Sequence, residues 1–409
     1  MVAIHSPYQS VDEADSREED RLDFEQSGKE SLESLNIERG EHHSLHYSQG
    51  LHPRHWAFQD KTRKRGLRLL LIIVPVLLVA GGLLGLLAQS LTSSAAAKTQ
   101  ALNEPKRLKV AYATLLSAKD ENVAKESTIY DDKYFVATRI LGYQLLHDPE
   151  TRTQLGAPFV VIATPNVSQA KVDRLERDGI TVFRAKQEID PPLYRKYDRN
   201  RFIGVWNKLY VWQWTQYDRV VFIDNDHILL KRLDDIFDET AAQTFPNVNN
   251  QTLVYADEEP QPTEYVFAGQ HEIKQSGHHH PPTQEDFEPG WTGIDYANGG
   301  FFVTKPDVKM FNYMQSILRV KDKFTPYWAE QDLLNHVFNP AGNLPVKMLP
   351  PLWSLHRPTI EDTSESVGIH ALHEKWWNVW QSKEMQEKMQ AIRWKMEGFY
   401  TAWDTYIKP

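Results

Sequence analysis

The chain has 409 residues, of which 41% are hydrophobic, and this is enough for one large globular domain with appended segments. Its formal net charge of −9 provides no broad basic surface for phosphates, so nucleic acid is not an expected partner. Because the chain has no cysteine, disulfides, zinc-thiolate sites and cysteine nucleophiles are excluded.

The N-terminal part of the chain predicts a tail and a membrane anchor. Residues 1–60 are polar, acidic and poor in large apolar side chains, which is typical of a disordered tail. Residues 69–88 carry no charge, and about twenty helical residues at about 1.5 Å each cross the roughly 30 Å core of a bilayer. A buried core helix is the alternative, but it would be shorter and amphipathic. We therefore predict a single transmembrane signal anchor at 69–88.

The distribution of positive charge predicts the orientation of this anchor. A basic cluster lies only on its N-terminal side, formed by Lys61, Arg63, Lys64, Arg65 and Arg68. The positive-inside rule keeps the tail in the cytosol, and residues 89–107 then form a short stem on the other side. Sequons at Asn166 and Asn250 are compatible with a lumenal domain. We expect a single-pass type II protein of the Golgi membrane.

Strand-like and helix-like segments alternate after the stem. Apolar, β-branched runs at 106–116, 157–164, 180–186 and 220–223 predict strands, and the segments at 132–147, 168–179 and 207–217 predict helices. This alternation predicts an α/β fold with a Rossmann-like, mostly parallel sheet and helices on both faces. The domain is expected to span 108–380, with a further helix in 381–409.

Two carboxylates follow the strand predicted at 220–223. Asp224 and Asp226, separated by Asn225, stand at the C-terminal end of this strand, where ligands of parallel sheets collect. Carboxylates are hard oxygen ligands suited to Mg²⁺ or Mn²⁺, which also bridge phosphate oxygens. A solvated turn is the alternative, because Asp-X-Asp alone is a weak signal. The position after an apolar strand favours the metal site.

Three further motifs carry polar groups next to apolar runs. Asn298, Gly299 and Gly300 precede "FFVT", where glycines allow a ligand to approach the backbone closely, or simply form a turn. Glu330 and Gln331 begin a helix-like segment at 328–338. His370 and Lys375 follow a short apolar run, and the two could converge on one anion-bound metal.

Taken together, these motifs resemble those of glycosyltransferase family eight, the glycogenin family. With the predicted anchor, the chain looks like a membrane-anchored member of this family. The similarity covers about Leu108 to Trp377 and is strongest at 160–182 and 206–238. Here "FIDND" stands where the family has "FMDAD" or "FIDAD". The family's Asn-x-Gly, Asp-Gln and His-x-x-Gly-x-Lys-Pro-Trp motifs correspond in turn to Asn298 through Gly300, Glu330-Gln331, and His370 through Trp377.

The resemblance implies a GT-A type fold, a UDP-sugar donor, Mn²⁺, retention of anomeric configuration, and a glycan or polysaccharide acceptor. It implies metal ligation by Asp224, Asp226 and His370, and an imidazole among carboxylates agrees with Mn²⁺. Catalytic positions would be Lys375, Gln331 and Glu330, with Lys375 on the diphosphate. The positions expected to bind the donor are Tyr112 and Ala113 beside uridine, Asp224 at the ribose, Lys208 near the donor, Asn298 with Gln331 facing the sugar, and Gly299 and Gly300.

The chain departs from the family at several positions. Glu330 replaces the usual aspartate and is one methylene longer, which puts a nucleophile role in doubt. His373 and Trp376 stand where the family has glycine and proline. Residues 240–294 are longer than in glycogenin, and we interpret them as an insertion that shapes the acceptor site. They include His278 to His280, which could bind a metal but are expected to be merely exposed in a polar loop.

Two other functional classes remain open at this point. One is a catalytically silent, membrane-anchored scaffold that binds nucleotide sugars, and the other is a nucleotide-sugar hydrolase without an acceptor. Retention of the expected metal and phosphate ligands favours an active transferase. The sequence leaves the transferred sugar, the linkage and a homodimer open.

Overall fold

A computed structural model describes residues 108–118, 128–194, 204–274, 277–287, 296–378 and 382–407. All of them belong to one unit of the chain, Arg107–Pro409. In these segments, no helix has both the length and the apolar character needed to cross a membrane. The tail, anchor and stem expected at 1–60, 69–88 and 89–107 lie outside the described residues and stay predictions.

Twelve strands and five α-helices lie in the described segments. The strands are β1 (Val110–Leu116), β2 (Phe159–Ala163), β3 (Thr181–Arg184), β4 (Arg219–Ile223), β5 (His227–Leu229), β6 (Phe245–Pro246), β7 (Glu264–Tyr265), β8 (Phe267–His271), β9 (Ala297–Thr304), β10 (Lys347–Met348), β11 (Leu355–His356) and β12 (Ala371–His373). The α-helices are α1 (Lys133–Leu146), α2 (Gln169–Arg177), α3 (Val308–Ile317), α4 (Glu330–Val337) and α5 (Lys383–Tyr406).

Seven of the strands form the main sheet, in the order β10-β8-β9-β4-β1-β2-β3. β9 is antiparallel to both of its neighbours, and every other pair of neighbours is parallel. This confirms the predicted α/β class with a mostly parallel sheet. The parallel order places the C-terminal ends of β1 and β4 side by side.

Both faces of the sheet are buried, and strand alternation divides β1 between two cores. Ala111, Ala113 and Leu115 pack on one face, whereas Val110 and Tyr112 pack on the other. Strands that are buried on both faces read as continuous apolar runs, and this is why β1 and β4 were visible in the sequence.

The segment expected as a helix at 207–217 is helical over Val205–Gln213, in the 3₁₀ rather than the α form. Its N-cap, Gly204, provides no side-chain oxygen for the first free N–H groups. Its tryptophan, tyrosine and valine side chains also have only modest helix propensity. Packing fixes the segment, since Trp206, Leu209 and Trp212 are almost completely buried. The tighter turn still carries Lys208 toward the end of β4.

A smaller sheet brings the last motif to the end of β4. Its order is β11-β12-β5, with β5 beginning directly after Asp226. β12 pairs antiparallel with β5, and His373 is opposite His227 in this register. The backbone N–H of Glu374 then donates to the Asp226 carbonyl at 3.1 Å. Residues almost 150 positions apart are thereby held side by side.

The segment expected as an insertion, 240–294, contributes to the main sheet. It contains β8, which pairs with both β9 and β10 and is buried along its whole length. The residue that follows β8, Glu272, reaches the candidate site described below. This part of the segment is therefore a structural element of the domain rather than a peripheral loop.

Candidate active site at the end of β4

The Asp224-Asn225-Asp226 segment leaves β4 at its C-terminal end. The backbone N–H of Asp224 donates to the Gly300 carbonyl at 2.7 Å, which holds the turn against β9. Asn225 points inward, and its amide donates to the Leu115 carbonyl and the Thr138 hydroxyl, each at 3.1 Å. The middle residue anchors the turn, while the two aspartates are left partly accessible.

Asp224 is held by a buried lysine. The Lys208 ammonium lies 2.9 Å from Oδ1 of Asp224 and 2.6 Å from Oε1 of Glu330, and it also donates to the Gly299 carbonyl at 3.4 Å. Burial alone would lower the pKa of Lys208, but Asp224 and Glu330 outweigh that effect and raise it. Lys208 is therefore charged, and it fixes the position of the Asp224 carboxylate.

Asp226 faces His373, a residue that the sequence motifs did not predict as part of the site. Nε2 of His373 lies 3.2 Å from Oδ1 of Asp226. This is an ion-pair distance, yet the alignment forms no hydrogen bond, and no described residue hydrogen-bonds to this buried oxygen. Burial opposes both charges, but their mutual attraction lowers the pKa of Asp226 and raises that of His373. An unsatisfied carboxylate oxygen next to an imidazole nitrogen is an arrangement that a cation would complete.

His227 supports this pair without joining it. Its ring stacks on that of His373 with centroids 4.2 Å apart. Because the Asp224 carbonyl can only accept, Nδ1 of His227 is the donor in their 2.9 Å contact, and Nε2 then accepts from the Ser354 hydroxyl at 3.0 Å. Both ring nitrogens have partners, so His227 orients His373 rather than offering a ligand atom.

A further carboxylate, that of Glu272, lies behind His373. Oε2 of Glu272 accepts from the Asn298 amide at 2.7 Å, and Oε1 pairs with Nδ1 of His356. The His356 ring lies 4.9 Å from that of His373. Burial would raise the pKa of Glu272, but His356 and Asn298 lower it to about 2. A charged carboxylate thus stands behind the histidines.

Asn298 and Gln331 make hydrogen bonds within the protein. Oδ1 of Asn298 accepts from the Gly300 N–H at 2.7 Å, and Oε1 of Gln331 accepts from the Gly299 N–H at 2.7 Å. The Gln331 amide also donates to the Tyr296 hydroxyl at 3.2 Å. These contacts shape the start of β9 and join it to α4. They position the glycines, while the predicted contacts of the two amides with a sugar stay predictions.

Gly300 leaves room for the three side chains that meet in front of β9. A Cβ at this position would lie 2.6 Å from Cε1 of His373, 2.8 Å from Oδ2 of Asp224 and 2.9 Å from Oδ1 of Asn298. Each distance is shorter than real Cβ contacts allow. Only a residue without a Cβ permits this convergence.

Gly300→Ala is therefore expected to lower turnover by at least about 10-fold and the free energy of unfolding by about 1–3 kcal/mol, because the new methyl group displaces site side chains. Gly398→Ala is the matched control. A Cβ at Gly398, in α5, meets nothing within 4 Å, so this change should increase stability by about 0.5–1 kcal/mol and leave turnover unchanged. Urea unfolding measures the free energy of unfolding, and initial rates measure turnover. Equal activity of both variants would contradict this role of Gly300.

The structure does not bring His370 to Asp226. Nδ1 of His370 lies 2.9 Å from the Arg232 carbonyl, and its ring packs on Trp353 at 4.3 Å between centroids. Successive side chains of a strand point to opposite faces, so His370 and His373, three residues apart around β12, face opposite ways. The register with β5 turns His373 toward the aspartates. The structure therefore places the imidazole of His373, rather than that of His370, beside Asp226.

Tyr112 and Ala113, expected beside uridine, are both completely buried in the middle of β1. The Tyr112 hydroxyl donates to Asp234 at 2.7 Å. Burial and the neighbouring Asp234 raise the pKa of Tyr112 well above its usual value. In the register with β4 they are opposite Val221 and Phe222, before the end of the strand that Asp224 follows.

Lys375 follows β12 and is half-buried. Burial raises the pKa of Asp226, whereas His373, His227 and, as the smallest of these influences, Lys375 lower it. Glu330 is buried and its pKa is raised, first by burial, while its ion pair with Lys208 opposes the shift. The structure thus brings together Asp224, Asp226, Lys208, Glu330, Gly299, Gly300 and Lys375 as predicted neighbours.

Four contributors were not predicted from the sequence: His227, Glu272, His356 and His373. The first adjoins Asp226 in "IDNDH", and this adjacency was an available signal. Glu272 and His356 come from segments that only the sheet pairings bring together, and no local pattern in the sequence marks them. His373 lies inside the predicted motif His370 through Trp377, at the position where the family has glycine.

Comparisons with known proteins add sequence similarity to this geometry. An uncharacterised protein of Schizosaccharomyces pombe is 27% identical over 277 residues, which are 62% of this chain and 71% of that protein. A putative glucuronosyltransferase of Arabidopsis thaliana, PGSIP8, is 38% identical over 133 residues, 32% of this chain and 24% of that protein. Human glycogenin-1 is 24% identical over 228 residues, 55% of this chain and 51% of that protein.

No protein-family model matches the chain. Among solved structures, the bifunctional glycosyltransferase WbbM in its apo form aligns with a TM-score of 0.42 and 13% identity, covering 73% of this chain and 52% of that chain. Because this score is below 0.5, the α/β assignment depends on the strand order described above.

Proposed function

We propose that this chain, which is similar in sequence to a putative glucuronosyltransferase and to glycogenin-1, is a glycogenin-like glycosyltransferase that transfers a sugar from a UDP-sugar to a glycan or polysaccharide acceptor with retention of anomeric configuration. The proposed protein ligands of Mn²⁺ are Asp224, Asp226 and His373. The observation that supports this most strongly is the 3.2 Å approach of His373 to the Asp226 oxygen that lacks a hydrogen bond.

The residues at the end of β4 fit such an ion. Two carboxylates and one imidazole form a donor set that suits Mn²⁺, and Gly300 keeps the space between them clear of a methyl group. When bound, the ion supplies positive charge that neutralises the diphosphate and the charge that develops on UDP. The second layer is also present, because Lys208 holds Asp224 and the stacked His227 holds His373.

The two lysines have different roles in this proposal. Lys375 follows directly on the strand of His373, and we assign it to an oxygen of the diphosphate, where a cation stabilises the departing UDP. Lys208 is already shared between Asp224 and Glu330. It is a positioning residue, since its charge is balanced before a substrate arrives.

Glu330 is also a positioning residue. Glu330 is only 4% exposed, and its carboxylate is ion-paired with Lys208. Attack of this carboxylate on a sugar would therefore require breaking a buried ion pair. This argues against a nucleophile at this position. It supports a role in holding Lys208, and through it Asp224.

The rest of the donor is proposed to bind along the C-terminal end of the sheet, as in a GT-A type fold. Residues 115–118 lie at the end of β1, next to the end of β4, and they replace Tyr112 and Ala113 as the proposed neighbours of uridine. We retain the type II placement in the Golgi membrane as part of the proposal, with support only from the sequence of residues 61–88.

The proposal is tested by incubating the full chain with a panel of UDP-sugars, Mn²⁺ and oligosaccharides, and by measuring UDP release. We expect release that depends on the acceptor and on one or a few donors. Release of equal rate without an acceptor would instead indicate a hydrolase. UDP binding without release from any donor would indicate a silent scaffold, and either result would overturn the proposed transferase.

A further inference from the structure

A second group of potential metal ligands lies outside the proposed active site. His278 and His280 come from the loop after β8, and Asp362 comes from the 3₁₀ helix Ile360–Thr363, which precedes β12. One ligand atom from each of these residues lies within 4.8 Å of the others. The side chains of His278 and Asp362 are completely buried, and that of His280 is 28% exposed. The expectation that these histidines are merely exposed is wrong for His278.

The hydrogen bonding of His278 leaves one ring nitrogen aimed at a carboxylate. Nδ1 lies 2.9 Å from the His279 carbonyl, and because a carbonyl only accepts, Nδ1 carries the proton. In the neutral ring, Nε2 is then a lone pair, and it faces Oδ2 of Asp362 at 3.5 Å. Among the described residues Nε2 has no hydrogen-bond partner. Two acceptors that face each other in a buried site require a cation or a proton between them.

The other two groups are arranged around the same carboxylate. Nδ1 of His280 lies 2.7 Å from Oδ1 of Asp362. Oδ2 of Asp362 accepts from the Thr359 N–H at 2.7 Å and from its hydroxyl at 3.3 Å. Metal-binding carboxylates and histidines are usually held in this way by backbone groups behind them.

We propose that His278, His280 and Asp362 bind a zinc ion, with the fourth position filled from solvent on the His280 side. Two imidazoles with one carboxylate favour zinc, because Mn²⁺, Mg²⁺ and Ca²⁺ all prefer mostly oxygen ligands. Bonds of about 2.0–2.2 Å at tetrahedral angles place donor atoms about 3.3–3.5 Å apart. The 3.5 Å between Nε2 of His278 and Oδ2 of Asp362 matches this separation and exceeds that of a charged hydrogen bond. The 2.7 Å between Nδ1 of His280 and Oδ1 of Asp362 is a hydrogen-bond distance, so the partly exposed His280 has to move when the ion binds.

This ion would connect two segments that are 82 residues apart in sequence. One segment continues from β8, which is followed by Glu272, and the other leads to β12, which carries His373. A zinc ion at this position therefore braces the two segments that place the histidines beside Asp226. Its role is structural, since the active-site groups come from different residues.

The test measures zinc binding to the full chain after stripping with a chelator, by competition with a chromophoric chelator. Asp226→Ala is used as the parent protein, so that zinc at the proposed active site does not contribute. We expect one tightly bound zinc per chain in this parent. His278→Ala and Asp362→Asn should each raise the Kd at least about 100-fold, because each removes a direct ligand.

His279→Ala in the same parent is the matched control, because this histidine lies in the same turn and its side chain is 62% exposed. It should retain the zinc. Absence of zinc from the parent, parent-like affinity of His278→Ala, or equal weakening by His279→Ala would overturn the proposal. If the ligand variants do not fold, cobalt substitution of the parent decides. Tetrahedral cobalt bands support the site, and their absence contradicts it.

Discussion

Turnover is expected to fall by at least about 10²–10³-fold when Asp226 is replaced by alanine. The change removes one of two carboxylates proposed to hold the charge that neutralises the diphosphate, and losses of this size are typical when one electrostatic stabiliser is removed. The measurement is the rate of UDP release with the preferred donor at saturating Mn²⁺. Circular dichroism should show an unchanged fold, because the 16% exposed Asp226 side chain contributes little packing.

Asp235→Ala provides the control for this substitution. Asp235 is an exposed aspartate in the short 3₁₀ helix Asp234–Asp238, which follows β5. None of the proposed functions depends on it. Its replacement should leave turnover unchanged. If Asp226→Ala lowers activity only in proportion to a loss of folded protein, then the carboxylate is a structural part of the turn.

His373→Ala and His370→Ala are expected to fail in opposite ways. His373→Ala should lower turnover by at least about 10²-fold, because it removes the imidazole beside Asp226. His370→Ala should change turnover by less than about 3-fold and lower the free energy of unfolding by about 1–3 kcal/mol, since it leaves the Arg232 carbonyl without a partner and opens a gap beside Trp353. Initial rates and urea unfolding distinguish the two effects.

Each histidine variant is the control for the other, because they remove the same side chain from the same short strand region. Loss of turnover in His370→Ala with a normal His373→Ala would restore the assignment predicted from the sequence motif. Equal loss in both variants would mean that the local fold of β12 is needed, and that neither imidazole acts individually.

The parts of the site that could be predicted from the sequence are those coded within a few residues. Asp224 and Asp226 follow an uninterrupted apolar strand, and a parallel sheet places such residues at its ligand-binding edge. Gly299 and Gly300 likewise stand at the start of a second apolar run. In these cases, local pattern and fold class give the same answer.

His373 could not be chosen over His370 from the sequence, because the choice depends on which face of β12 meets β5. A shift of one residue in this register would exchange the two faces. The motif spacing favoured His370, while the observed pairing presents His373. The pairing of Lys208 with Glu330 also depends on contacts across more than a hundred residues.

The burial of His278 was missed for a related reason. Its polar, proline-containing surroundings are typical of an exposed loop, and composition alone supports that interpretation. The covering group is the segment that contains Asp362, which lies far along the chain. Burial of a polar residue depends on what packs against it, and such long-range packing is not coded in the loop itself.

The central claim, that Asp224, Asp226 and His373 hold a divalent cation for a uridine diphosphate donor, is tested most directly by Mn²⁺ binding in the presence of UDP. Electron paramagnetic resonance measures the Mn²⁺ that stays free as the full chain is titrated. The account predicts one UDP-dependent Mn²⁺ per chain in the natural protein and in His370→Ala, and a loss of this binding in Asp226→Ala and His373→Ala. UDP-dependent binding that is absent from the natural protein, or unchanged in Asp226→Ala, would contradict it.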